Sequence, residues 1–120
     1  MATLKPTLTL TSSDASSDSL NFTVTDSLTV TAPSVNLSRL SIGTSSPTVI
    51  IASSVSSHQF TYLMNTDSSN IITVSTDAGA AYCTLNPGEF AFLPVKGTVG
   101  LEVQANGSAC VLEYAYWARS

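Results

Sequence analysis

Charge is what this sequence has least of. Of its 120 residues, 10% are Asp, Glu, Lys or Arg, against roughly 25% in an average soluble domain. The four cations, Lys5, Arg39, Lys96 and Arg119, are scattered along the chain, and the net charge is −4. A surface that neutralises phosphates needs clustered Lys and Arg, so no nucleic-acid partner is expected. A basic helix lying on a membrane surface is excluded on the same ground. No run reaches the ~18 apolar residues of a spanning helix, so no membrane partner is expected either. The segment Met1–Pro6 offers no apolar stretch of a secretory signal, and the expectation is a chain made and folded in a cytoplasm.

Reactive groups are equally sparse. His58 is the only histidine, and Cys83 and Cys110 are the only cysteines. These three have no metal-ligand spacing, and without a secretory signal the thiols read as two small buried groups rather than a cross-link. His58 sits in Ser56-Ser57-His58-Gln59 at the start of a strand; with twenty serines in the chain, a Ser beside it carries no information, and no Gly-x-Ser-x-Gly elbow is present. The aspartates are Asp14, Asp18, Asp26, Asp67 and Asp77, and most of them fall in turns, where Asp caps the backbone. Glu89, Glu102 and Glu113 lie on or beside strands, spaced as solvent-facing groups. Asp14 with Asp18, or Asp67 with loop oxygens, offers oxygen ligands to calcium, but no calcium-loop motif surrounds them. Asn21-Phe22-Thr23, Asn36-Leu37-Ser38 and Asn106-Gly107-Ser108 are glycosylation sequons by pattern, read here as chance in a Ser/Thr-rich chain. No catalytic, metal or cofactor site is expected, and the protein reads as a non-enzyme.

What is abundant is hydroxyl and apolar alternation. Ser and Thr make up nearly a third of the chain, and hydrophobic residues 43%. Thr, Val, Ile, Tyr and Phe suit a pleated surface, whereas Glu, Lys, Gln and Arg, which favour helices, are scarce. The period is two throughout, the mark of half-buried strands. It runs over Thr7–Thr11 and Leu20–Thr25, resumes at Leu28 and Val30 after Thr25-Asp26-Ser27, and continues at Val35, Leu37, Leu40 and Ile42. Further strands are expected over Val49–Ala52, Phe60–Met64, Ile71–Val74, Ala80–Leu85, Phe90–Leu93 (stopped by Pro94), Val99–Val103 and Ala109–Trp117. Turn formers punctuate them at Asn65–Asn70, Asp77-Ala78-Gly79 and Asn86-Pro87-Gly88, and Asn106-Gly107 suits a type I′ hairpin. The fold class predicted is therefore all-β, a β-sandwich or jelly roll of about nine or ten short antiparallel strands.

One domain spans residues 1–120, with a Ser/Thr-rich N-terminal part to about residue 45 and a denser sandwich core over residues 46–120. The first dozen residues cannot repay an ordering cost of about 1–2 kcal/mol each, so they must pair with a sheet edge, their own or a neighbour's, as a possible N-terminal arm. In the last strand Cys110, Leu112, Tyr114 and Tyr116 share one face, and Val111, Glu113, Ala115 and Trp117 the other. This second face is too apolar for solvent, so Trp117 and its neighbours are expected to meet another chain or a folded-back segment. Trp117, Tyr114, Tyr116, Tyr62 and Tyr82 are also the candidates for a sugar-stacking platform, although aromatics on such strands mostly face the core.

Thr61-Tyr62-Leu63-Met64-Asn65-Thr66-Asp67-Ser68-Ser69-Asn70-Ile71-Ile72-Thr73-Val74, Leu85-Asn86-Pro87-Gly88-Glu89-Phe90-Ala91-Phe92-Leu93-Pro94 and Gly100–Ala105 together resemble small structural proteins of tailed bacteriophages, over about residues 58 to 117. The resemblance implies a virion protein assembled in a host bacterial cytoplasm. Its role would be capsid decoration or cement that bridges capsid subunits, or else a tail, neck or fibre-base component. Its partners would be the major capsid protein or other virion proteins, and it would act as a homo-oligomer, a trimer or dimer. No catalytic residue carries over. The residues expected to make contacts are Leu8 and Leu10 in the arm, and Trp117 and Arg119 at the C-terminal end. Two further readings are a carbohydrate-binding module and, last, a small hydrolase.

Overall fold

Alternating sequence becomes alternating burial in the computed structural model, which describes residues 1–31 and 37–120. The described residues contain no helix, and their strands are β1 (Ala2–Leu4), β2 (Thr7–Ser12), β3 (Leu20–Thr25), β4 (Leu28–Val30), β5 (Ser38–Ile42), β6 (Thr48–Ile51), β7 (Gln59–Asn65), β8 (Ile71–Ser75), β9 (Ala81–Leu85), β10 (Phe90–Val95), β11 (Leu101–Asn106) and β12 (Cys110–Ala118). The fold is all-β, as expected, with more strands than the nine or ten predicted. The excess comes from the N-terminal region, where short ladders break at Lys5-Pro6 and Asp26-Ser27. The strand expected at Val35, and the sequon at Asn36, lie outside the described residues.

The last eight strands form the sandwich. A front sheet has the order β10-β7-β12-β5 and a back sheet the order β6-β11-β8-β9, with all neighbours antiparallel. Four of the pairs are nested: β8 with β9, β7 with β10, β6 with β11, and β5 with β12. This is a long hairpin rolled up on itself, the jelly-roll order. The inner faces meet in one core, with Ile42, Leu63, Cys110 and Leu112 from the front sheet against Ile72, Val74, Leu101 and Val103 from the back. The face assignment of β12 holds: Cys110 and Leu112 are buried, and Tyr114 and Tyr116 pack at the core margin. Both cysteines are free, Cys110 buried and Cys83 half-buried, and burial pushes both thiols above their ordinary pKa.

Two connections differ from expectation. Asn106-Gly107 is not a hairpin turn, because β11 belongs to the back sheet and β12 to the front. Gly107 has φ 94°, and a Cβ there would stand 2.6 Å from Asn70 Oδ1, so the chain crosses between sheets by passing tight against another loop. Nor does Pro94 stop its strand. It pairs with Phe60 inside β10, and β10 is a sheet edge, where a missing N–H leaves no ladder bond unmade. The Asn86-Pro87-Gly88 turn forms as read: Glu89 N–H donates to Asn86 O at 3.0 Å, and Gly88 has φ 80°, which fits the third position of a type II turn.

The first thirty residues fold on themselves. Strand β1 pairs with β4 and β2 with β3, in one continuous register from Ala2 opposite Val30 to Ser12 opposite Leu20. Pro6 lacks an N–H and interrupts the ladder, and Asp26 N–H donates to Pro6 O at 3.1 Å to hold the kink. The result is a two-stranded ribbon. Its base joins the sandwich through a bridge of Val30 to Arg119, flanked by Thr31 N–H to Ala118 O at 2.9 Å and Ser120 N–H to Thr29 O at 3.0 Å. The first dozen residues therefore pair within their own chain. The radius of gyration is 15.4 Å, against about 13.5 Å for a compact chain of this length.

Candidate functional site

Period two sorts the ribbon into two unlike faces. Thr7, Thr9 and Thr11 on β2 oppose Thr25, Thr23 and Asn21 on β3, with the Oγ1 atoms of Thr9 and Thr23 3.0 Å apart and those of Thr7 and Thr25 3.3 Å apart. The other face pairs Leu8 with Val24 and Leu10 with Phe22. At the base this apolar face is covered: Val30 is buried and Leu4 and Leu28 are half-buried. Toward the tip it is not, and Leu8, Leu10, Phe22 and Val24 are between 41% and 53% exposed. An isolated two-stranded ribbon is marginal in water, and this one leaves bare the face that should stabilise it.

The sandwich has a matching asymmetry. On the back sheet the outward positions are largely polar, among them Thr73, Ser75, Thr84, Glu102 and Gln104. On the front sheet the register puts Phe90, Phe92 and Pro94 of β10 level with Met64, Tyr62 and Phe60 of β7, and these with Glu113, Ala115 and Trp117 of β12. Phe60 and Phe92 stack with ring centroids 6.5 Å apart. Part of this outer face is buried, Phe60 and Ala115 among it, yet neither belongs to the sandwich core. Pro6 and Leu28 at the ribbon base line one cleft with Phe60 and Pro94. Farther out Phe90 is 64% exposed and Phe92 40%.

Between the two apolar surfaces lies an open cleft of about 490 Å³, with Leu8, Val24 and Leu28 of the ribbon on one wall and Phe60, Phe90 and Phe92 of the sandwich on the other. Asp26 is the one ionisable group among its lining residues. Beside it on the front sheet is a small polar group: Tyr62 donates its hydroxyl to Glu113 Oε1 at 2.9 Å, and Arg39 Nε donates to Glu113 Oε2 at 3.1 Å. Burial first, and the bond to Glu113 second, hold the Tyr62 hydroxyl above its ordinary pKa.

The four contact residues expected from the sequence fall into two places. Leu8 lines the cleft and Leu10 lies one step farther out on the same ribbon face. Trp117 is half-buried on the outer face of the front sheet, next to Ala118, whose backbone O accepts the Thr31 N–H. Arg119 is exposed, and its backbone N–H donates to His58 O at 2.9 Å. Sequence reasoning missed Phe22, Phe90 and Phe92. The signal was present, since Phe90-Ala91-Phe92-Leu93 alternates large and small, but alternation alone does not say which side is inside. Tyr114 and Tyr116, candidates for a sugar platform, pack against the core instead.

The other chemistry-bearing residues are dispersed. No group of three or more His, Cys, Asp or Glu side chains that could hold a metal ion occurs among the described residues. His58 is exposed. Asp67 Oδ2 accepts the N–H groups of Ser69 at 2.9 Å and Asn70 at 2.7 Å, and Glu89 Oε1 accepts the N–H of Asn86 at 2.6 Å. Comparison with family models, curated proteins and solved structures returned no match.

Proposed function

We propose that the protein is a structural component of a virion, most specifically a decoration or cement protein that stabilises a capsid by bridging its subunits. The observation that carries this reading is an apolar surface, divided between ribbon and sandwich, that the chain builds and leaves open. An exposed apolar face marks a surface that is covered by something else, and a component of an assembly covers it with its neighbours. Low charge supports the same reading, because few ions have to be desolvated when the surface is covered. The jelly-roll order occurs in capsid proteins and in lectins alike, so the fold supports the reading without selecting it. Adhesion on this account is mechanical: buried area added across subunit boundaries, with no catalytic step.

Immunogold electron microscopy on particles from the source material tests it. Gold spread over heads is the expected result; gold at one vertex or along tails moves the assignment to a tail, neck or fibre-base component. Intact particles without gold, with an antibody known to bind the folded protein, overturn the virion reading. One observation favours a second reading: Tyr62, Phe90 and Phe92 share an exposed face beside the Glu113–Arg39 pair, the stacking and hydrogen-bonding groups a sugar would use. Glycan-array binding abolished by Tyr62→Ala would establish a carbohydrate-binding module.

A further inference from the structure

We infer that the cleft is filled by a second copy of this chain, each copy laying the tip of its ribbon, Leu10 and Phe22, against Phe90 and Phe92 of the other. The inference concerns the surface on which the adhesive reading rests, but it does not require a virion.

Three observations point to a copy rather than to a different partner. First, the ribbon outruns its own cleft. Leu8 and Val24 line it, whereas Leu10 and Phe22, one step farther along the same face, do not. Among the described residues, the chain thus extends an apolar face past the apolar wall of its own cleft. Second, the two surfaces left over are complementary and belong to one patch. A two-fold axis beside the cleft would let each ribbon tip meet the other copy's exposed phenylalanines, so that the same patch would serve both sides, the requirement of an isologous contact. Third, the area suffices. Leu8, Leu10, Phe22, Val24, Phe90 and Phe92 together expose on the order of 500 Å² per copy, and with the rim that surrounds any apolar centre this reaches the ~800 Å² per partner of a stable interface.

Little charge opposes the pairing. Residues 7–12 and 20–25 carry no ionisable side chain; Asp26 is the one ionisable group lining the cleft, and Asp14 and Asp18 are exposed in the turn beyond Leu10 and Phe22. The threonine face of the ribbon points away from the joint and stays in water. Two-stranded and marginal alone, the ribbon then gains the cover that its sequence prepares for.

Sedimentation equilibrium of the full chain over a wide concentration range tests the inference. The expected result is a dimer. Phe22→Asp on one wall and Phe90→Asp on the other should each weaken it by about a hundredfold, the effect of removing a central aromatic anchor. Thr9→Asp, on the opposite ribbon face, should leave the association unchanged. Both aromatics are exposed and outside the sandwich core, so thermal unfolding of the variants checks that the fold is kept. Should either variant unfold, mixing a Leu10→Cys chain with a Phe90→Cys chain reads the same contact as an intermolecular disulfide under mild oxidation. A monomer at every concentration overturns the inference, as does an oligomer that survives both aspartate variants or an absence of the mixed disulfide. Particles without gold would remove the virion reading and leave the dimer standing; a monomer would do the reverse.

Discussion

Asn65 is fully buried at the end of β7, and a buried amide is tolerable only when its groups are paired. Its Nδ2 donates to Asn70 O and Leu85 O, both at 2.9 Å, and its Oδ1 accepts the Asp67 N–H at 3.0 Å. One side chain thereby ties the 65–70 loop to the end of β9. Asp67 completes the loop by accepting backbone N–H groups from Ser69 and, next in size, Asn70, and these hold its carboxyl below the ordinary aspartate pKa. In the unfolded chain that pKa returns to its usual value. The stabilisation is therefore fully present above the usual aspartate range and is lost as pH falls through the depressed native value. Asp67→Asn should be less stable than the wild type at neutral pH, and the two should converge once the pH has fallen below the depressed native pKa. Urea unfolding of both proteins across that range measures it; a difference that stays constant with pH would show that the charge of Asp67 is not what the loop uses.

The elements teach where alternation stops being informative. Thr7–Thr11 and Leu20–Thr25 were legible as strands because period two is a property of each strand alone. That these two pair with each other, and that the last strand pairs with β5 and β7 instead of β11, depends on contacts distant in the chain, and no local pattern carries them. Asn106-Gly107 shows the consequence. The dipeptide has the φ > 0 preference of a hairpin turn, and Gly107 does adopt it, but the chain uses the freedom to cross between sheets. Pro94 shows the converse: the missing N–H that argues against a strand is harmless once the strand lies at an edge. The cleft was legible in part, through Leu8 and Leu10, because the ribbon face is a simple alternation. Its other wall was not, because a run such as Phe90–Leu93 is apolar on both sides. These conformations make a test. Gly88→Ala and Gly107→Ala both force a Cβ into positive φ and should destabilise by more than ~1 kcal/mol. Gly107→Ala should cost more, since its Cβ would collide with Asn70 whereas that of Gly88 meets nothing within 4 Å. Denaturant midpoints of the two variants, compared side by side, decide it.

At the scale of the molecule, the scarcity of charge sets how the protein responds to its surroundings. The Arg39–Glu113 pair is exposed on the arginine side, and such pairs contribute at most ~1 kcal/mol. The core is apolar and the ribbon faces are apolar or hydroxylic, so stability should hardly change between low and high salt. A melting temperature that moves by less than about 2 °C between 0.05 M and 0.5 M sodium chloride is the expectation at this chain length, and calorimetry reads it directly. A larger fall would mean that long-range attraction among the dispersed ions matters more than their spacing suggests.

The joint between ribbon and sandwich governs how a load would pass through the molecule. Strand β4 lies antiparallel to the end of β12, with Thr31 bonded to Ala118 and Ser120 to Thr29. Tension drawn along the ribbon therefore acts parallel to the strands and loads these bonds together, in shear, whereas a pull across them would open them one after another. The shear then enters β12, the longest strand, bonded on both sides to β5 and β7. Force applied at the tip is delivered to the longest strand of the roll, in the direction in which its ladder yields last.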